Sequence, residues 1–292
     1  MKSGFIEVTI LGIAQDGGVP QTGCSCENCI SAHINHKLRK SAVSCGVRGI
    51  DDSLHLIEVG RNIAEQLNLW SNKMDSKEIR IPDTISITHV HFGHIDGLGQ
   101  FGKEVMGVRG MPFYASKSSI KNLEKRELLS PFDSLEIDSN DLFYPSIGCG
   151  FKLEFIKVPH RDDYSDTHAI IIRGKYRSLL FLPDHDNWIE TLEMHECNTI
   201  REWFLKLKID YALIDGTFWD KNELGGRDMT EIPHPTIVET LNRLGKRVKN
   251  DVEIFFFHLN HTNPALNTSS KETSIIEALG WKVLTERQVF SL

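Results

Sequence analysis

Three histidines, His89, His91 and His94, lie within the six-residue segment HVHFGH. The segment follows the apolar run TISIT (84–88), which is typical of a buried strand, and it precedes a predicted helix. At an extended strand end His89 and His91 point the same way, and a glycine turn can bring His94 back toward them. Imidazole nitrogens gathered in this way are good ligands for Zn²⁺ or a similar ion. The spacing therefore predicts a metal site where this strand ends.

Three further candidate ligands stand where other strand-like segments end. His160 follows FKLEFIKVP, Asp184 closes RSLLFLPD, and His258 follows VEIFFF. Sites are commonly built from loops at one edge of a rigid sheet. Each residue alone fits a turn or a cap equally well. Together they supply the imidazoles and the carboxylate that a two-metal centre needs.

A second cluster consists of Cys24, Cys26 and Cys29, spaced C-x-C-x-x-C. Three thiolates this close need one more ligand to complete a tetrahedral structural zinc site. His33 and His36 are local candidates for that ligand, and three free thiols are the alternative to metal binding. A redox role is disfavoured, because the cluster lies in a Gly- and Pro-rich turn and not at a predicted helix N-terminus.

Strand-like and helical segments alternate along the chain in two similar halves, without a long linker or a short-period repeat. Strands are predicted at 5–11, 43–49, 53–60, 84–88, 151–159, 168–174, 177–184, 211–216 and 252–261, and helices at 61–70, 117–129, 199–208, 235–247 and 270–279. This order predicts two packed sheets with helices outside, in a single domain spanning residues 1–292.

Composition restricts the class of protein. The 292 residues carry 33 basic and 40 acidic side chains, a formal net charge of −7, so nucleic-acid binding is unlikely on charge grounds. No apolar run reaches the roughly 18 residues of a membrane span, and the N-terminus does not resemble a secretory signal. We expect a cytoplasmic protein that acts on a small molecule. A homodimer is compatible with the sequence.

The motifs resemble those of a known superfamily. HVHFGHIDGL is similar to the His-x-His-x-Asp-His motif of the metallo-β-lactamase superfamily. LGIAQDGGVPQTGCSCENC resembles the N-terminus of the pyrroloquinoline quinone biosynthesis protein B subfamily and of the cyclic phosphodiesterase of the carbon–phosphorus lyase pathway. HLNHTNP, from residue 258 onward, resembles the C-terminal segment of the former. These separated motifs extend the resemblance over essentially the whole chain.

The resemblance implies an α/β fold, a four-layered αββα sandwich, with the site at one edge of the sheets. It also implies that His89, His91 and His160 hold a first metal ion, that His94 and His258 hold a second, and that Asp184 bridges both. By the same analogy His261, three residues after His258, completes the cysteine site. The implied chemistry is hydrolysis by a metal-bound hydroxide.

The sequence departs from the superfamily motif at one position. Gly93 stands where the family usually has Asp directly before the third histidine. The second ion then binds weakly, is completed by water or substrate, or receives Asp96. Asp96 is two residues after His94 and would point away from it on a helix, where its alternative role is an N-terminal helix charge. The departure also leaves room for a one-metal or oxygen-using enzyme.

Several other polar residues lie close to these motifs. His234, held between two prolines, is a candidate general acid or pocket-lining residue, or only marks the start of a helix. Asp215 is a candidate support for a metal-binding histidine. Asp16, followed by two glycines, could line the mouth of the site or only form a tight turn. Tyr164, Asp166, His168, His185 and Asp186 are candidates for substrate contact or for support of a ligand, or for polar turns.

The sequence therefore predicts a metal-dependent hydrolase that cleaves a phosphodiester or a related ester. We expect one structural Zn²⁺ and one or two catalytic Zn²⁺ or Mn²⁺ ions, with iron as the alternative metal. The residues expected to carry the reaction are His89, His91, His94, Asp184 and His234. The alternatives are a metal-dependent oxidoreductase or hydroxylase of quinone cofactor biosynthesis, and a non-catalytic metal-binding protein with a degenerate site.

Overall fold

The computed structural model describes residues 4–225 and 231–292. The strands of its first sheet are β1 (Glu7–Gly12), β2 (Ser44–Arg48), β3 (Leu54–Ile57), β4 (Thr84–Ser86), β5 (Met111–Ala115), β6 (Phe132–Glu136) and β14 (Val289–Ser291). They lie in the order β14-β1-β2-β3-β4-β5-β6. The β2–β3 hairpin is antiparallel, and β3 to β6 run parallel to one another.

The second sheet also has seven strands. These are β7 (Leu142–Phe143), β8 (Lys152–Val158), β9 (Thr167–Arg173), β10 (Ser178–Leu182), β11 (Tyr211–Asp215), β12 (Glu253–Phe257) and β13 (Lys282–Val283). They lie in the order β13-β12-β11-β10-β9-β8-β7. Strands β10 to β13 are parallel, so their carboxyl ends meet at one edge of the sheet.

Eight helices are present in the described residues. They are α1 (Glu27–Ile34), α2 (Ile63–Lys73), α3 (Phe92–Ile95), α4 (Lys117–Lys125), α5 (Trp188–Met194), α6 (Ile200–Leu207), α7 (Ile237–Leu244) and α8 (Lys271–Ala278). Within residues 4–225 and 231–292, none of them combines the length and the apolar character that a membrane crossing requires.

Apolar side chains fill the space between the sheets and the space beneath the helices. In β9, Ile170 and Ile172 join the core between the sheets, whereas Ile171 joins the core beneath the helices. Burial on both faces explains why this strand is a continuous apolar run. Helices α5 to α8 cover the second sheet, and α2 and α4 cover the first. The order helix–sheet–sheet–helix confirms the predicted αββα sandwich.

The ends of several strands bring polar side chains to a common edge. His89 follows β4, His160 follows β8, Asp184 follows β10, and His258 follows β12 directly. The two sheets are linked near this edge, since the backbone N–H of His168 donates to the carbonyl of Thr88 at 3.1 Å. Residues distant in sequence therefore face one space held by two rigid sheets.

Candidate metal centre

Three imidazoles converge at the edge of the sheets. His91 Nδ1 lies 2.9 Å from His89 Nε2 and 3.2 Å from His160 Nε2. A tetrahedral zinc with bonds of about 2.0–2.1 Å to nitrogen holds its ligand nitrogens about 3.3 Å apart. The three nitrogens therefore have the spacing of three ligands of one ion.

The opposite nitrogens of two of these rings have polar partners. His89 Nδ1 lies 2.9 Å from the Thr88 hydroxyl, and His160 Nδ1 donates to Asp186 at 3.1 Å. A carboxylate partner on one ring nitrogen fixes the tautomer and leaves the other nitrogen as a free lone pair. Asp186 thus has the supporting position that was one of its two predicted roles.

Burial keeps two of these imidazoles neutral. It lowers the pKa of His89 well below the usual value, and burial together with the charge on His160 lowers the pKa of His91 to about 3. A histidine must be neutral to bind a metal ion through a lone pair. Both rings are therefore available as ligands at neutral pH.

Asp184 lies between this group and a second one. Its Oδ1 is 3.9 Å from His160 Nε2 and 3.5 Å from His258 Nδ1, and its Oδ2 is 3.0 Å from His94 Nε2. Asp184 is buried. The contact of Oδ2 with His94 lacks the angles of a hydrogen bond, so Oδ2 has no hydrogen-bond partner. The carboxylate has the position predicted for a bridge between two ions.

The second group contains His94, His258 and Asp16. Asp16 Oδ1 lies 3.6 Å from His94 Nε2 and 3.8 Å from His258 Nε2. The sequence had placed Asp16 at the mouth of the site or in a tight turn, not among the ligands. The side chain of Asp16 is 46% exposed. Partial burial would raise its pKa, but the neighbouring imidazoles of His258 and His94 lower it to about 2.

A buried carboxylate that the sequence analysis missed stands behind His94. Glu58 is fully buried directly after β3, and its Oε2 lies 3.4 Å from His94 Nδ1. Its Oε1 accepts a hydrogen bond from the backbone N–H of Thr88 at 2.9 Å. Burial lowers the pKa of His94, but the charges of Glu58 and Asp184 outweigh this and raise it. Glu58 therefore orients His94 with its Nε2 toward Asp184.

The donor set fits divalent metal ions. His258 Nε2 and Asp184 Oδ2 are buried and have no hydrogen-bond partner. A buried polar atom without a partner costs about 1–3 kcal/mol, so native proteins rarely leave one unpaired. A cation held between the imidazoles and carboxylates would satisfy both atoms. Imidazole and carboxylate ligands suit zinc, manganese and iron alike.

His234 lies beside the bridging carboxylate. Its Nδ1 is 2.7 Å from Asp215 Oδ2 and 3.7 Å from Asp184 Oδ1. Asp215 ends β11 and also accepts a hydrogen bond from the hydroxyl of Thr217, which in turn contacts His258 Nδ1 at 2.9 Å. Asp215 therefore supports His234 directly and His258 through Thr217, in keeping with the supporting role predicted for it.

Most of the remaining polar candidates lie outside the two groups. His168 pairs with Ser139 at 2.8 Å, and His185 pairs with Thr191 at 2.8 Å in the core beside α5. Asp166 accepts hydrogen bonds from two serines at the start of α4. Tyr164 is exposed, and its ring lies edge-on to the ring of His91 with centroids 6.0 Å apart.

The cysteine cluster is joined to the C-terminal half by one histidine. His261 Nδ1 lies 3.3 Å from Cys24 Sγ, 3.4 Å from Cys26 Sγ and 3.6 Å from Cys29 Sγ. A tetrahedral zinc site with three sulfurs and one nitrogen places the nitrogen about 3.6 Å from each sulfur. The arrangement favours His261 over His33, which is exposed on α1, and over His36.

One expectation about this cluster was wrong. Cys26 is the N-cap residue of α1 and Cys29 is buried in its first turn, so the cluster does lie at a helix N-terminus. The argument against a redox role from the absence of a helix therefore fails. What favours a metal site instead is the imidazole of His261, which lies close to all three sulfurs.

A known family model matches more than half of the chain. The family model described as Beta-lactamase superfamily domain matches residues 56–258. Coenzyme PQQ synthesis protein B of Bradyrhizobium diazoefficiens is 23% identical over 308 residues, which cover 96% of this chain and 97% of that protein.

Two solved structures share the fold. Zn²⁺-bound PqqB from Methylobacterium extorquens superposes with a TM-score of 0.77 at 20% identity, covering 98% of this chain and 100% of that one. A diphosphatase from the PhnP family superposes with a TM-score of 0.65 at 20% identity, covering 99% and 97%.

Proposed function

Because the chain belongs to the beta-lactamase superfamily, we propose that it is a metal-dependent hydrolase that cleaves a phosphodiester or a related ester of a small molecule. One observation carries the proposal. Three imidazole nitrogens converge beside the buried Asp184, and two further imidazoles, those of His94 and His258, lie 3.0 and 3.5 Å from its oxygens. This is the donor set of a two-metal hydrolytic centre.

Six residues would hold the catalytic ions. His89, His91 and His160 bind the first, His94 and His258 bind the second, and Asp184 contacts both. Bound there, such ions lower the pKa of water toward neutrality and stabilise negative charge on the scissile group. The protein contributes rigid placement, because each ligand directly or closely follows a strand or sits on α3.

His234 would deliver the proton that the leaving group needs. Asp215 holds its Nδ1 at 2.7 Å, which leaves Nε2 as the nitrogen available to a substrate. Burial lowers the pKa of His234, but the charge of Asp215 outweighs this and raises it. A positioned acid of this kind contributes about 10²–10⁴-fold to a rate.

The cysteine cluster would hold a structural zinc ion. Cys24, Cys26, Cys29 and His261 offer four ligand atoms in a closed site, with no position left for substrate. Such an ion would pin the loop before α1 to the segment after β12. Its contribution is to folding, not to the reaction.

A hydrolysis assay tests the proposal. Protein loaded with Zn²⁺ or Mn²⁺ should cleave an activated phosphodiester such as bis(4-nitrophenyl) phosphate, and His91→Ala should reduce the rate at least 100-fold. The matched control is His195→Ala, an imidazole that contacts the carbonyl of Lys157. Fully metal-loaded protein that cleaves neither phosphodiesters nor carboxylic esters would refute the hydrolase proposal.

The second candidate is an oxidoreductase or hydroxylase of quinone cofactor biosynthesis. The observation that favours it is the similarity to coenzyme PQQ synthesis protein B over 96% of this chain. Iron binds the same imidazole and carboxylate ligands. Oxygen uptake by the iron-loaded protein with a quinone precursor, and no ester cleavage with zinc, would select this function over hydrolysis.

A further inference from the structure

The loop after β1 carries a carboxylate close to Gly93, where the usual Asp of the histidine motif is missing. We propose that Asp16 is a ligand of the second catalytic ion, so that this chain supplies the carboxylate from another part of the sequence. The inference rests on the two-ion centre of the proposed function. It identifies how that centre is completed without the usual Asp of the histidine motif.

The distances place Asp16 where a ligand would be. Its Oδ1 lies 3.6 Å from His94 Nε2 and 3.8 Å from His258 Nε2. Oxygen and nitrogen ligands of a tetrahedral zinc are about 3.4 Å apart. Nε2 of His258 is buried and has no hydrogen-bond partner, so it is aimed at this space without a protein group to satisfy it.

The space at Gly93 is filled by Asp16 itself. A Cβ atom added to Gly93 would overlap Oδ1, Cα and Cβ of Asp16. An Asp at position 93 and an Asp at position 16 would therefore compete for one volume beside His94. This close approach explains the glycine at position 93. The carboxylate of Asp16 reaches the same space from the loop after β1.

Backbone hydrogen bonds fix the loop that carries Asp16. The N–H of Gln15 donates to the carbonyl of Leu259, and the N–H of Leu259 donates to the carbonyl of Ile13, both at 2.9 Å. Leu259 directly follows His258, so the loop and the histidine are held in register. Asp16 thus has a rigid position relative to one of its partner ligands.

Asp96, the alternative considered from the sequence, is not placed in this way. The carboxylates paired with His94 in the described part of the chain are Asp16, Glu58 and Asp184. Asp96 is the residue that follows α3. The geometry therefore favours Asp16 as the third ligand.

Metal content of substituted proteins tests the inference without an activity assay. Wild type and Asp16→Asn are dialysed against buffered zinc, and zinc per chain is measured by plasma mass spectrometry. Asp16→Asn should lose one ion, with the dissociation constant of that ion raised about tenfold or more. Asp96→Asn, the matched control, should keep the wild-type content. Loss with Asp96→Asn and retention with Asp16→Asn would overturn the inference.

The close approach of Asp16 to Gly93 can be tested by crowding it. Gly93→Asp alone should crowd Asp16 and lower the melting temperature. Adding Asp16→Gly should relieve this only in part, because Cα of residue 16 also overlaps the added Cβ. An unchanged melting temperature in Gly93→Asp would contradict the close approach.

Metal content separates failure of the proposed function from failure of the role of Asp16. Wild type without any ion beyond the cysteine-bound one would refute the two-ion centre and with it the proposed function. Wild type with both catalytic ions, and Asp16→Asn with both as well, would refute only the role of Asp16.

Discussion

Several imidazoles of the candidate centre have their two nitrogens in different surroundings. One nitrogen of His160, His94 and His234 faces a carboxylate, from Asp186, Glu58 and Asp215 respectively. These carboxylates fix the ring and its tautomer, so the chemistry of each histidine depends on a second residue. A substitution at one of these histidines therefore also leaves its carboxylate partner without the imidazole.

His234 gives the sharpest prediction for a single residue. Replacing it with Asn should lower kcat about 10²–10⁴-fold on an ester with a poor leaving group, because the protonated imidazole is lost. An ester with a 4-nitrophenolate leaving group needs little protonation and should be affected much less. Steady-state kinetics on both esters measures the difference.

The control is metal content, which His234→Asn should leave at the wild-type value. Equal losses of rate on the two esters would contradict the assignment of His234 as proton donor. Loss of a metal ion would make it a ligand instead.

At the scale of elements, the cysteine loop and the end of the second sheet depend on one another. Asn28 donates hydrogen bonds from α1 to the carbonyls of His261 and Asn263, beside the cluster of sulfurs. A metal ion at this point would join residues separated by most of the chain. Its removal should therefore release a large loop.

Cys26→Ser tests this connection. We expect the variant to lose one zinc ion per chain and to melt at a lower temperature, since three ligands hold zinc far less tightly than four. Differential scanning calorimetry with metal analysis measures both quantities. Cys197→Ser, which changes a thiol near α6, should retain the ion. Unchanged zinc content in Cys26→Ser would rule out the structural site.

The sequence predicted most strands and the positions of the candidate ligands because both depend on local pattern. His89, His160, Asp184 and His258 each follow an apolar run, and an apolar run in this setting is a buried strand. Helix α1 was missed because its N-terminus lies within the cysteine segment, which looks like a turn. Strand β6 was missed because most of its residues are exposed and lack an apolar pattern.

The carboxylates around His94 could not be found in the same way. Asp16 and Glu58 reach His94 from separate segments, through packing that no spacing rule encodes. Glu58 carried a weak signal, a charged residue directly after the apolar strand LHLI. Asp16 carried another, two glycines that allow the close approach of its loop.

At the scale of the whole molecule, the sandwich contains a buried histidine that belongs to neither metal-binding group. His55 in β3 contacts the hydroxyls of Thr84 and Ser53, each at 2.8 Å. Burial lowers its pKa to about 4. The unfolded chain, with a histidine pKa of about 6.5, binds more protons between these values.

The free energy of unfolding should therefore fall as the pH drops from about 6.5 toward 4. His55 contributes up to about 1.4 kcal/mol of this loss per pH unit. His55→Gln lacks this titration and should show a flatter dependence, although it is less stable at pH 7. Guanidinium unfolding of both proteins at pH 6.5 and 4.5 measures this difference in pH dependence. Contributions of the other titrating groups are shared by the two proteins and cancel. Parallel losses in the two proteins would contradict the assignment to His55.

We expect one chain to hold two catalytic ions and one structural ion. Plasma mass spectrometry of zinc-loaded wild type, His89→Ala and Cys26→Ser tests it most directly. We predict three ions in wild type, loss at the catalytic centre in His89→Ala, and loss of one ion in Cys26→Ser with the catalytic ions retained. A wild type that holds only the ion lost in Cys26→Ser would contradict the account.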